Sequence, residues 1–178
     1  AQVHQDGDLH MRSVVFVVTP DGRFIRQKKA DSMTSSQHGK YDISARTHVS
    51  EHETFTSAAI RTLEEKLGLR VPENGIARIS EEGGFRRDRK NDRELVTVYL
   101  RFLAAGDQPK PNAPDVSALD IVTFDQVAAE IAKTPEAYSA MMNDLFSNAE
   151  LLAKIRSTLS RRSEMRQDIL SPALIRAR

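Results

Sequence analysis

The chain has 178 residues, 39% of them apolar and 29% charged, with 26 basic and 25 acidic residues for a net charge of +1. That length suits one domain, and that apolar share is enough for a core, which excludes a wholly disordered chain. The absence of Cys excludes a disulfide framework, a thiolate zinc site and a thiol nucleophile, and the near-neutral total gives nucleic acid no support as a partner.

Along the chain, residues 12–18 read as a buried strand rich in Val. This apolar run is far below the roughly 20 residues that span a bilayer, so no membrane is expected. No signal-peptide core is legible either, and the expected location is the cytoplasm. Pro20-Asp21-Gly22 is a turn signal, and residues 23–28 read as the returning strand. Residues 30–40 are polar and read as a loop, followed by a short strand at 41–45. Residues 54–69 give the clearest helix. Phe55, Ala59, Leu63 and Leu67 recur every four residues as one apolar stripe, and Gly68 marks the end. Strands are predicted at 76–80, 94–103 and 120–124, a loop at 109–114, and helices at 125–133, 135–147 and 149–160. Strands around one strong helix, with more helices behind, predict an α+β chain close to an α/β/α sandwich.

Thr47-His-Val-Ser-Glu-His-Glu53, followed by Arg61-Thr-Leu-Glu-Glu65-Lys-Leu-Gly68-Leu69, resembles the Nudix box. Six of its nine specified positions match: Glu53, Arg61, Leu63, Glu65, Gly68 and Leu69. Three depart: Thr47 for Gly, Thr62 for Glu and Lys66 for Glu. Asp42-Ile43-Ser44-Ala45, Ala58-Ala59-Ile60-Arg61, the opening around His4 and His10, and Pro114-Asp115-Val116-Ser117 are similar to the isopentenyl-diphosphate-isomerase-like branch of that superfamily. The resemblance implies a Nudix-type α/β/α sandwich with a mixed central sheet over residues 1–148. Residues 149–178 are read as a basic helical extension. Within 151–178 seven basic residues face two acidic ones, which reads as a solvated helix or as an arm for a partner, a homodimer included.

In the family, box carboxylates hold Mg²⁺ or Mn²⁺ against a diphosphate. Positions 62, 65 and 66 share one helix face, and here that face reads Thr62, Glu65, Lys66. Glu65 is the remaining candidate for metal ligand or general base, with Glu53 and Arg61 as catalytic-loop residues that pair in the family. The Lys66 ammonium repels a divalent cation and is expected to pair with Glu65 or with phosphate. The isomerase-like branch also gathers three His and two acids around one metal. By that resemblance His4, His10, His48, Asp92 and Glu94 are the candidate ligands, suited to Mn²⁺ or Zn²⁺. The isomerase reaction itself is excluded, because Arg46 stands where that branch has its Cys.

Lys28, Lys29, Arg46 and Lys66 are the candidate phosphate contacts. The competing reading for the lysine pair is a charged strand edge. Residues 86–90, with three Arg and one Lys, read as a solvated hairpin loop or a further phosphate contact. The expected partner is therefore a small phosphorylated molecule. The expected activity is divalent-metal-dependent cleavage of a phosphoanhydride, and the alternative is a Nudix-fold module that binds a phosphorylated ligand or a protein without turnover.

Overall fold

The unbroken Val-rich run at 14–18 decides how the molecule is layered. In a computed structural model, which describes residues 9–31, 37–89 and 92–170, it lies in strand β1 (Leu9–Val18) of a mixed sheet. Arg89, Asp92 and residues 166–170 are placed by backbone alone. β1 turns at Pro20–Gly22 into antiparallel β2 (Phe24–Lys29), and β2 pairs in turn with β3 (Tyr41–Asp42) and β8 (Val116–Val122). On its other side β1 runs parallel to β7 (Asp92–Phe102), which carries β5 (Ala77–Arg78) and β6 (Phe85–Arg89). The first half of β1 also pairs with β4 (Ala45–His48).

Period two sends successive β1 side chains to opposite faces. Val14, Phe16 and Val18 join Val96, Val98 and Leu100 in one core. That core is covered by α2 (Phe124–Lys133), α3 (Ala140–Ser147) and α4 (Ala149–Leu170). Val15, Val17 and Tyr99 face the other way and meet Ala59, Leu63 and Leu67 of α1 (Phe55–Leu67). The sandwich is the expected one. α1 starts at a reciprocal Thr54–Ser57 cap and stops at Gly68, whose φ of 64° suits glycine. Among the described residues no helix is long and apolar enough to cross a membrane.

Several predicted boundaries move. The single strand at 41–45 is two, because Ser44 Oγ replaces the ladder: it donates to the Ile25 carbonyl and accepts from Val17 N–H. Residues 86–89 are not a solvated loop; they belong to β6 at 85–89, held by β7 and by a buried Arg87 rather than by apolar alternation, and Lys90 lies outside the described residues. The strand read at 120–124 runs from Val116 to Val122, and Thr123 caps α2. The helix read at 135–147 breaks at Tyr138–Ser139, where Ser139 caps α3. α4 extends past 160 to Leu170, and its first turns are not peripheral: Leu151 and Ile155 are buried in the same core as Phe16.

Candidate functional site

Arg61 is the hub of the box. Its Nε and Nη2 each donate to Glu53 at 2.9 Å, its Nη1 donates to both oxygens of Glu65 at 3.0–3.1 Å, and Nη2 also donates to the His48 carbonyl at 3.1 Å. Glu53 further accepts from Ser50 N–H. The Arg61 hydrogen bonds hold the Glu53 carboxyl down at about 2. This chain-to-helix clamp closes the loop after β4, where His52 takes a φ of 65°. Glu65 is about half exposed and lies across Arg61, not across Lys66.

The other two positions of that α1 face, 62 and 66, carry no carboxylate. Thr62 is buried, and its hydroxyl donates to the Arg46 carbonyl at 3.2 Å. Lys66 does not pair with Glu65, one of the two partners expected for it; its ammonium reaches Asp115 at 2.5 Å. Asp115 gives its other oxygen to Lys29 at 2.9 Å. Lys29 lies 3.8 Å from Asp42, which accepts from Arg46 Nε at 2.7 Å and from Ser139 Oγ at 2.7 Å. Burial alone would raise the Asp115 carboxyl, but Lys66 and Lys29 hold it at about 2. Burial likewise opposes ionisation of Asp42, and Arg46 and Lys29 overcome it. Lys29, Arg46 and Lys66 thus alternate with two carboxylates in one ladder. Lys28 points elsewhere, 5.9 Å from the Tyr41 ring. A box-bound Mg²⁺ does not fit this face: Arg61 holds its remaining carboxylates, and an ammonium stands at position 66.

A second constellation lies farther along the same strands. The registers pair His10 with Glu94, Arg12 with His48 and Arg87 with Glu94, so all five side chains share one sheet face. His10 Nε2 lies 3.1 Å and His48 Nε2 3.9 Å from Glu94 Oε1, and the two imidazoles meet edge-on at 4.6 Å. Donor atoms of His10, His48 and Glu94 all lie within 4.8 Å of one another, a spacing compatible with one metal ion. Glu94 is fully buried and also accepts from Arg12 Nε and Arg87 Nη1. Burial opposes its charge, and the two guanidinium groups keep it ionised. Arg12 Nη2 also sits 2.5 Å from His48 Nε2, and Arg87 bonds Asp144 of α3 at 2.7 Å.

Of the predicted ligands, His4 lies outside the described residues, and the Asp92 side chain is not among them. The sequence reading gave Arg12 and Asp144 no role, took Asp42 and Asp115 only as flanks in the resemblance, and took Arg87 only as part of a loop or phosphate contact at 86–90. Asp42 carried a signal, four residues before Arg46. So did Arg12, which follows His10 by two and therefore shares its face.

The family model of the NUDIX domain matches residues 8–144. The chain belongs to the NUDIX domain family. This Nudix domain is 31% identical over 149 residues to Nudix hydrolase 3 of Arabidopsis thaliana; the match covers 77% of the chain but only 18% of that relative's length. It is 25% identical over 149 residues to the isopentenyl-diphosphate Delta-isomerase of Pectobacterium atrosepticum, covering 82% of the chain and 79% of the isomerase. The MutT protein of Methanosarcina mazei Go1 shares its fold, with a TM-score of 0.62 and 12% identity over 84% of this chain and 95% of that one.

Proposed function

We propose that this Nudix domain binds a small molecule carrying a diphosphate and hydrolyses its phosphoanhydride bond, with a divalent ion held by His10, His48 and Glu94 rather than by the box. The observation that carries this reading is the convergence of those three donors beside Arg46, which precedes His48 by two residues on β4. Two imidazoles and an ionised carboxylate suit Mn²⁺ or a similar ion better than Mg²⁺, which prefers oxygen alone. A bound ion of this kind polarises a phosphoryl oxygen and acidifies a bound water.

The chain's own side chains supply the rest. Arg46 offers a planar guanidinium that matches two phosphate oxygens. Lys29 and Lys66 add positive charge next to it. Glu53 and Glu65 act through Arg61, which fixes the loop between β4 and α1. Arg12 must swing away from His48 and Glu94 when the ion enters. That contact favours a second reading, in which Arg12 takes the place of the ion and the domain binds a phosphorylated ligand without turnover.

Phosphate release from nucleotide sugars, dinucleotides, nucleoside triphosphates and prenyl diphosphates, with Mg²⁺ or Mn²⁺, separates the two. The expected result is Mn²⁺-dependent release that His48→Ala abolishes and Glu65→Gln retains. Release that Glu65→Gln abolishes and His48→Ala retains would return the chemistry to the box. No release, with binding that persists in excess chelator, would establish the second reading.

A further inference from the structure

We propose that the ladder Lys66–Asp115–Lys29–Asp42–Arg46 is a metal-free phosphate site, in which the Asp115 carboxylate stands in for a phosphoryl group until the ligand displaces it. The proposal rests on the reading of a phosphorylated ligand and adds that its anchoring needs no divalent ion.

The first argument is charge. Three cations share two carboxylates, which leaves one positive charge in excess. None of the three is well solvated: the Lys29, Arg46 and Lys66 side chains are 8%, 17% and 21% exposed. An under-compensated cation in such a place is costly, and a dianionic phosphoryl group would correct the imbalance better than the carboxylate it replaces.

The second argument is geometric. One Asp115 oxygen accepts from Lys66 at 2.5 Å and the other from Lys29 at 2.9 Å. Two ammonium groups aimed at two oxygens of one small anion are what a phosphoryl group requires. The Asp115 backbone is fixed, since its carbonyl accepts from Ala30 N–H at 3.0 Å. Lys110 N–H and Asn112 N–H likewise bond the carbonyls of Leu67 and Lys66. A side-chain rotation of Asp115 therefore frees both ammonium groups without moving the loop.

The third argument is an orphan. Gln27 is fully buried directly opposite Asp42 in the β2–β3 register, two residues before Lys29. Both atoms of its carboxamide have no hydrogen-bond partner among the described residues. A buried amide without partners is rare in a finished structure and points to a missing polar group beside the ladder.

The experiment is calorimetric titration with inorganic pyrophosphate in excess EDTA, on the native chain and on Lys66→Gln, Lys66→Arg and Asp115→Asn. Lys154→Gln, whose parent residue pairs with Glu150 on the solvent side of α4, is the control. The native chain binds without metal. Lys66→Gln weakens binding tenfold or more, as expected for a lost charge-assisted contact, and Lys66→Arg retains most of it. Asp115→Asn tightens binding several-fold, because the competing carboxylate is gone; circular dichroism verifies each fold. Equal affinity of Lys66→Gln and native, or weaker binding by a folded Asp115→Asn, overturns the proposal. Pyrophosphate binding that needs Mn²⁺ and disappears in His48→Ala also overturns it, while leaving the hydrolase reading intact. Neither binding nor phosphate release under any condition removes both.

Discussion

Asp115→Asn gives the sharpest stability test of the rebuilt box. The native carboxyl sits at about 2 against an ordinary 3.8, which corresponds to about 2.5 kcal/mol in favour of its ionised form. Asn keeps one acceptor oxygen, so the expected loss near neutral pH is about 2 kcal/mol, or about 4–8 °C in Tm for a domain of this size. The pH dependence follows from the sign. A depressed carboxyl contributes stability that is fully present above its unfolded value and is lost as pH falls through its folded value. The difference between native and Asp115→Asn therefore holds above about pH 4 and shrinks toward zero as pH approaches 2. Urea denaturation at a series of pH values measures it. A difference below about 0.5 kcal/mol at pH 6 would refute the reasoning, because a loss that small is what an exposed ion pair commonly gives.

Two further outcomes follow from the same structure. Arg61→Ala removes the clamp on Glu53 and Glu65 and costs about 2 kcal/mol; an NMR titration would show Glu53 rising from about 2 toward its ordinary range, and Arg61→Lys would not restore it because one ammonium cannot span both carboxylates. Ile155→Ala empties a fully buried position on α4 and costs about 2–4 kcal/mol in chemical denaturation, whereas Arg161→Ala, exposed one and a half turns later, changes stability by no more than about 0.5 kcal/mol.

Apolar periodicity made the sandwich legible. α1 carries a stripe at helical spacing with caps that are local signals as well, β1 carries an unbroken apolar run buried on both faces, and the Pro20–Gly22 turn marks where β2 begins. β6 was hidden because Phe-Arg-Arg-Asp-Arg has no alternation; Arg87 faces inward only because Glu94 and Asp144 lie there to receive it. The Tyr138–Ser139 break was hidden for a similar reason, since Ser139 caps α3 while also bonding Asp42, far away in sequence. Partners supplied by the fold, not by neighbours along the chain, govern these positions.

The same distinction divides the candidate site. The substitutions at 62 and 66 were visible as departures from a spaced motif, and they implied that the box face had changed its chemistry. The partners of the altered positions were not visible, because a ladder is a three-dimensional object: Lys66 meets an aspartate 49 residues away, and Asp42 meets a serine 97 residues away. Loss of box carboxylates alone would leave a hole in a conserved kind of fold. Here the reversed charge at 66 is answered by Asp115, the small residue at 62 is buried against β4, and Arg61 still joins both surviving carboxylates. Positions 62 and 66 are thus each met by a partner that the fold supplies, and the cations gathered there are suited to meet phosphate directly.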